Sequence, residues 1–182
     1  MKVFKIIISL LVLNNIVWAN SQDKFYVSGG VSMETSSSKK YDENSLLGVV
    51  LKTGYNYNDY LSIDLRFSKG FGNEKQLSHD YSVGVYIKPI YPIQENLKFY
   101  GLLGYGKNKL VFKNEFDFNG VKNNKTIQND ISYGFGLDYS LNKNYSMELE
   151  VLKLIDESNS AKTHRIKVNS IAVILTRHFS IK

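Results

Sequence analysis

The chain has 182 residues, a formal net charge of +6 and no cysteine. This length fits a single domain, and the absence of cysteine excludes disulfides, thiolate metal sites and cysteine nucleophiles. Acidic and basic residues are interspersed along the chain without a continuous basic stripe, so we expect no nucleic-acid binding.

The first nineteen residues have the pattern of a cleavable secretory signal peptide. Lys2 and Lys5 precede a mostly apolar run over 6–13, and small residues at Val17 and Ala19 predict cleavage after Ala19. A membrane anchor is the alternative, but the run is shorter than the ~20 residues that a spanning helix needs. We therefore expect residues 20–182 to form one mature domain of 163 residues (182 − 19) with a net charge of +4 (6 − 2).

Apolar and polar residues alternate with a period of two through the rest of the chain, which is typical of half-buried strands. In the third and clearest strand, Leu61, Ile63, Leu65 and Phe67 alternate with polar residues, whereas Arg177 interrupts the apolar face of the eighth. The alternation predicts eight strands, over about residues 24–33, 46–57, 61–68, 80–91, 97–107, 130–140, 145–155 and 164–179.

The predicted connections differ in length by parity. Those after the second, fourth and sixth strands are short, whereas those after the odd strands are long and polar, over about residues 34–45, 69–79, 108–129 and 156–163. Short turns on the periplasmic side and long loops outside are typical of bacterial outer-membrane barrels. We therefore predict an all-β, eight-stranded antiparallel up-and-down transmembrane β-barrel in the outer membrane, with both termini periplasmic.

Alternation alone leaves open which face points outward, because a soluble lipocalin-like barrel would place its apolar face inside. Two features favour a membrane barrel. Glycine recurs on the polar face, where it would make room for large side chains in a narrow lumen. Aromatic residues lie near the strand ends of the apolar face, as in interfacial girdles; they are Phe25, Tyr57, Tyr139, Tyr145 and Phe179 at the short-turn end and Phe67, Tyr81 and Tyr133 at the other.

A polar face that points inward would carry charges of both signs into the lumen. The predicted luminal ion-pair network consists of Asp64, Arg66, Lys88, Lys98, Asp138, Glu148 and Glu150. Lys167 would join them if the phase of the eighth strand allows it. Because buried charges must be paired or hydrated, we expect a structural plug that leaves the lumen mostly closed; a gated pore or proton path is the alternative.

The chain resembles the small barrels grouped as opacity-family porins and outer-membrane protein A-like transmembrane domains. The resemblance is carried by Gly54–Ser62, by the glycine-rich Tyr100–Gly106 and by the ending Thr176–Phe179. It departs from the family in that Ser180, Ile181 and Lys182 follow the terminal aromatic. The resemblance implies a porin-like envelope protein of Gram-negative bacteria, with a role in envelope integrity, adhesion or antigenic display, and it does not imply catalysis.

Two histidines could suggest enzyme chemistry, and we interpret neither as catalytic. His178 and Ser180 fit the His-x-Ser string of lipid A deacylases, but they lie at the predicted periplasmic end, away from the outer leaflet. His79 beside Asp80 could suggest an acid–base pair of the kind in outer-membrane proteases, and we interpret it as a loop residue at the rim. We expect no catalytic residues, no metal and no cofactor.

The longest predicted loop is basic, with Lys109, Lys113, Lys122 and Lys125 as candidate surface residues. They could contact lipopolysaccharide phosphates or simply be solvated. The expected function is a structural or adhesin-like surface role, with a small-solute channel as the alternative and a lipid A-modifying enzyme behind both. Expected partners are outer-membrane lipid, lipopolysaccharide, a host or surface ligand at the loops and, during biogenesis, the barrel assembly machinery and periplasmic chaperones.

Overall fold

A computed structural model describes residues 23–38, 44–71, 77–112, 124–156 and 166–180. These residues form one closed, all-antiparallel barrel in which each strand pairs with its chain neighbours and the first strand pairs with the last. The strands are β1 (Asp23–Ser38), β2 (Asn44–Asn58), β3 (Leu61–Phe71), β4 (Leu77–Gln94), β5 (Leu97–Phe112), β6 (Asn124–Ser140), β7 (Tyr145–Asp156) and β8 (Ile166–Ser180). The predicted fold class is thereby confirmed; the predicted signal peptide lies outside the described residues.

The alternation dictates which side chains share a face of each strand, and the structure shows that the apolar face is the outer one. Apolar side chains on the outward face expose large fractions of their surface; Leu51 and Leu103 are each 56% exposed. The inward face is buried and carries the polar residues, which is the reverse of a soluble barrel. Arg177 points outward at the short-turn end, where its guanidinium lies 5.0 Å from the ring centroid of Phe179.

Seven of the eight strands are longer than predicted, whereas β8 has 15 residues and is slightly shorter than its predicted range. The described strands span 11 to 18 residues, whereas a tilted transmembrane strand needs only ~9–11. In β5 the outward residues are apolar or aromatic from Phe99 to Tyr105 and then become Lys107 and Lys109. β5 therefore continues beyond its apolar stretch at the long-loop end, opposite the short turns at Asp59–Tyr60, Glu95–Asn96 and 141–144.

Three large tyrosine side chains on the inner face pack against glycines of the adjacent strands. Tyr26, Tyr86 and Tyr100 each pair in register with a glycine on the adjacent strand: Gly54, Gly104 and Gly136. A Cβ added to Gly136 would lie 2.5 Å from the ring of Tyr100 and 2.8 Å from the carbonyl oxygen of Leu149. The glycines therefore give the rings the space that the sequence predicted they would need.

Candidate functional site

The centre of the lumen is built around the carboxylate of Glu148, which β7 points into the barrel. Lys52 of β2 donates to its Oε2 at 2.7 Å, and Lys88 of β4 donates to the same oxygen at 3.2 Å. Tyr100 also donates to Oε2, at 2.7 Å, and Thr176 donates to Oε1 at 2.6 Å. Because Glu148 is fully buried, these donors replace the water that a free carboxylate would bind.

A second set of contacts extends this cluster across the barrel. Arg66 forms an ion pair with Glu150, and Lys52 lies 3.4 Å from the same carboxylate. Tyr26 donates a hydrogen bond to Asp64. We call the following set the charged plug: three cations and three anions, each at most 3% exposed, namely Lys52, Arg66, Lys88, Asp64, Glu148 and Glu150. Its formal charges sum to zero (3 − 3), as a buried set requires.

The structure brings together five of the seven residues predicted for the luminal network. Lys98 and Asp138 lie nearer the short-turn end, and no ion pair of either is found in the described part of the chain, although they are register neighbours. Lys167 points outward, so the phase of β8 does not bring it into the lumen. Lys52 was not predicted to join, although its position on the polar face of the second strand was the available signal.

A polar cavity of about 320 Å³ opens at the short-turn end, and we call it the vestibule. Lys98, Asp138 and His178 line it, and Lys88 and Glu148 of the charged plug also border it. His178 approaches Ser146 with its Nε2 at 3.1 Å. The vestibule therefore ends against the charged plug.

The interior is not polar throughout, contrary to the prediction of a polar lumen. Beyond the charged plug toward the long-loop end, a set of buried apolar side chains packs together inside the barrel: Leu102, Leu110, Leu152, Leu154, Ile155 and Val168. A second group, Val50, Ala172 and Ile174, packs across β2 and β8. Apolar side chains give water no hydrogen-bond partners, and we call the first of these groups the apolar seal. It shares the lumen beyond the plug with buried polar side chains such as Glu34, Ser68 and Ser82.

His79 lies inside the barrel, so the prediction that it belongs to a rim loop was wrong. It is part of β4 and only 1% exposed, and its Nδ1 lies 2.5 Å from the buried carboxylate of Glu34. Asp80 does not pair with it. A register shift between His79 and Tyr81 changes the phase of β4 at this point, which alternation alone could not reveal.

The predicted basic loop residues are distributed between strands and undescribed segments. Lys109 belongs to β5 and Lys125 to β6, so the prediction that both lie in a loop was wrong; Lys113 and Lys122 lie outside the described residues. Lys109 forms an ion pair with Asp80 at 2.8 Å. This hydrogen bond to the carboxylate raises the pKa of Lys109 above its usual value.

Neither a metal site nor a spanning helix is found within the described ranges. No group of three or more His, Cys, Asp or Glu side chains there has the geometry to hold a metal ion. No helix there is long and apolar enough to cross a membrane.

The fold is similar to solved outer-membrane proteins at low sequence identity. The attachment invasion locus protein Ail of Yersinia pestis superposes with a TM-score of 0.63 at 20% identity, covering 87% of this chain and 99% of Ail; it has also been solved in complex with the heparin analogue sucrose octasulfate. Neisserial surface protein A gives 0.64 at 18% identity (85% and 97% covered). OprG of Pseudomonas aeruginosa gives 0.55 at 15% identity (87% and 97% covered).

The family comparison covers nearly the whole chain. The profile described as outer membrane protein beta-barrel domain matches residues 6–179. A search of curated proteins finds no significant match. The resemblance to opacity-type and outer-membrane protein A-like barrels is confirmed by the family match and the solved folds. The chain therefore belongs to the outer membrane protein beta-barrel domain family and is an eight-stranded barrel of the bacterial outer membrane.

Proposed function

We propose that this protein is a closed, non-catalytic barrel that contributes to envelope structure and surface interaction rather than to transport. The observation that carries the proposal is the filled lumen. The charged plug occupies its centre, and the apolar seal lies between the plug and the long-loop end. Ions crossing the barrel would have to break buried ion pairs and displace the buried side chains that pack beyond the plug.

We also propose that both termini face the periplasm, after cleavage of a signal peptide behind Ala19, and that the long-loop end projects from the cell. The strand extensions beyond the apolar band support this orientation, because they form a rim that could carry interaction surfaces. Lipopolysaccharide and surface or host ligands are the proposed partners of the rim. The complex of Ail with a heparin analogue supports the idea that a related fold can present such a surface. Assembly machinery and periplasmic chaperones are the partners proposed for biogenesis.

A small-solute channel is the second candidate, and the vestibule favours it. This cavity extends from the short-turn end to Lys88 and Glu148, so only the charged plug and the seal would have to move. Lipid A chemistry has less support. His178 of the His-x-Ser string borders the vestibule at the short-turn end, away from the proposed outer leaflet, and lies near Ser146.

Refolded protein in a planar bilayer is expected to give no steady single-channel conductance, because buried side chains fill the lumen between the vestibule and the long-loop end. Insertion is verified in parallel by the heat-dependent shift of the folded band in electrophoresis. Steady conductance from fully folded protein would contradict the closed barrel and favour the channel.

The orientation can be tested on intact cells, because the chain has no cysteine and single-cysteine variants label cleanly. Asn129→Cys lies on an exposed outward position at the long-loop end, and Lys143→Cys lies in an exposed short turn. A membrane-impermeant maleimide is expected to label only Asn129→Cys on intact cells and both variants after the outer membrane is disrupted. The reverse pattern on intact cells would place the short turns outside.

A further inference from the structure

We propose that three outward lysines, Lys69, Lys107 and Lys109, form a lysine patch that binds the phosphate groups of lipid A in the outer leaflet. The inference deepens the proposed function: it names the chemistry of one partner of the rim and rests on the outward orientation of the long-loop end. Of the three lysines, only Lys109 was among the surface residues predicted from the sequence.

The strand register places the three lysines close together. Lys69 of β3 pairs with Tyr81 of β4, and Tyr81 pairs with Lys109 of β5. Two strand spacings separate Lys69 from Lys109, which is about 10 Å, and Lys107 lies two residues from Lys109, about 7 Å along β5. Ammonium groups on stems of this length can converge on one phosphate or two neighbouring phosphates.

The depth of the patch matches a lipid headgroup. It lies beside the stacked rings of Phe67 and Tyr81, whose centroids are 6.4 Å apart, and exposed Phe71 and Ile127 flank it at the same end of the barrel. The Nζ of Lys109 lies 5.1 Å from the ring centroid of Tyr81, and that of Lys69 lies 5.9 Å from Phe71. Aromatic rings and lysines together are characteristic of membrane interfaces, where the apolar stems stay at the boundary and the charges reach the headgroups.

The charge of the patch favours an anion. Asp80 offsets one lysine through its 2.8 Å contact with Lys109, so the patch keeps a formal charge of +2 (3 − 1). Lys69 and Lys107 are exposed on the outer surface of the strands, and neither is in an ion pair with another described residue. Lysine binds phosphate as a point charge, and each lysine near an anionic membrane surface contributes about 1 kcal/mol.

The test compares two double variants that remove the same charge from opposite ends of the barrel. Lys69→Gln/Lys107→Gln weakens the lysine patch, and Lys24→Gln/Lys143→Gln removes two exposed lysines at the short-turn end. Folded proteins in zwitterionic detergent micelles are titrated with phosphorylated or dephosphorylated lipid A, and bound lipid is counted by native mass spectrometry. The patch variant is expected to need about 30-fold more phosphorylated lipid A for half-saturation, since two contacts are lost; the control variant is expected to match the natural protein.

Three results would overturn the proposal: equal binding by the two double variants, equal binding of dephosphorylated lipid A, or displacement of lipid A by sucrose octasulfate at equimolar concentration. The last result would point to a soluble polyanion as the ligand. The micelle assay measures neither conductance nor the orientation of the barrel in the membrane. A negative result would therefore contradict the lysine patch alone, and the closed lumen and the orientation would still be decided by the conductance and labelling experiments.

Discussion

Glu148→Gln is expected to destabilise the folded barrel by about 3–5 kcal/mol, the usual cost of removing one partner from a buried ion pair. The substitution keeps the shape of the side chain but removes its charge. Lys52 and Lys88, at 2.7 and 3.2 Å from Oε2, would then lose their shared counterion inside the barrel. The free energy of unfolding in urea, measured on protein refolded into phospholipid vesicles, tests this expectation.

A matched control and a rescue variant make the Glu148 result specific. Glu95→Gln removes a carboxylate from an exposed short turn and should change the stability by less than about 0.5 kcal/mol. Lys88→Met combined with Glu148→Gln restores a neutral plug and should recover at least half of the loss. A Glu148→Gln protein as stable as the Glu95→Gln control would mean that water, rather than ion pairing, neutralises the luminal charges.

Tyr100→Ala is expected to cost about 3–5 kcal/mol, as large-to-small substitutions of buried aromatic residues do. The side chain of Tyr100 is fully buried, its ring rests on Gly136, and Lys88 Nζ lies 4.0 Å from its centroid. Truncation would remove this packing and would leave Lys88 without the ring beneath it. The same urea titration in vesicles measures the loss.

Tyr100→Phe removes the hydroxyl but keeps the ring, so it measures the contribution of the hydroxyl to stability. It should cost about 1.5–3 kcal/mol, the value of a hydrogen bond to a charged group, because only the 2.7 Å bond to Glu148 and the longer one to Glu150 are lost. Tyr105→Phe makes the identical change at an outward position on the same strand and should cost less than about 0.5 kcal/mol. Equal effects at the two positions would show that the hydroxyl of Tyr100 contributes nothing to the plug.

Local alternation predicted the two faces of the strands correctly because side chains in a strand have a strict period of two. The alternation gave the wrong face where the register of the strand pairing shifts. The register shift between Lys153 and Ile155 allows both Leu154 and Ile155 to be buried, and the shift beside His79 carries that residue inside. An extra residue in one strand changes the phase of all that follow, and no sequence signal marked these two positions.

The composition of the plug depended on distances across the barrel. Lys52 and Glu148 are 96 residues apart and meet through the lumen rather than along the sheet. Lys98 and Asp138 are register neighbours of opposite charge and would have been the more obvious pair from the sequence. They border the vestibule instead, and neither forms an ion pair with another described residue.

The sequence by itself determined the strand count, the parity of short and long connections, and the outward position of the apolar face. These depend on period-two patterning, on local turn chemistry, and on which face carries the glycines and the aromatic residues near the strand ends. Only the tertiary structure decided which charges pair, where the lumen is sealed, and which lysines share the outer surface of β3 and β5. These features depend on how the eight strands are staggered when the barrel closes. That stagger sets the height of every residue relative to strands far away in the sequence.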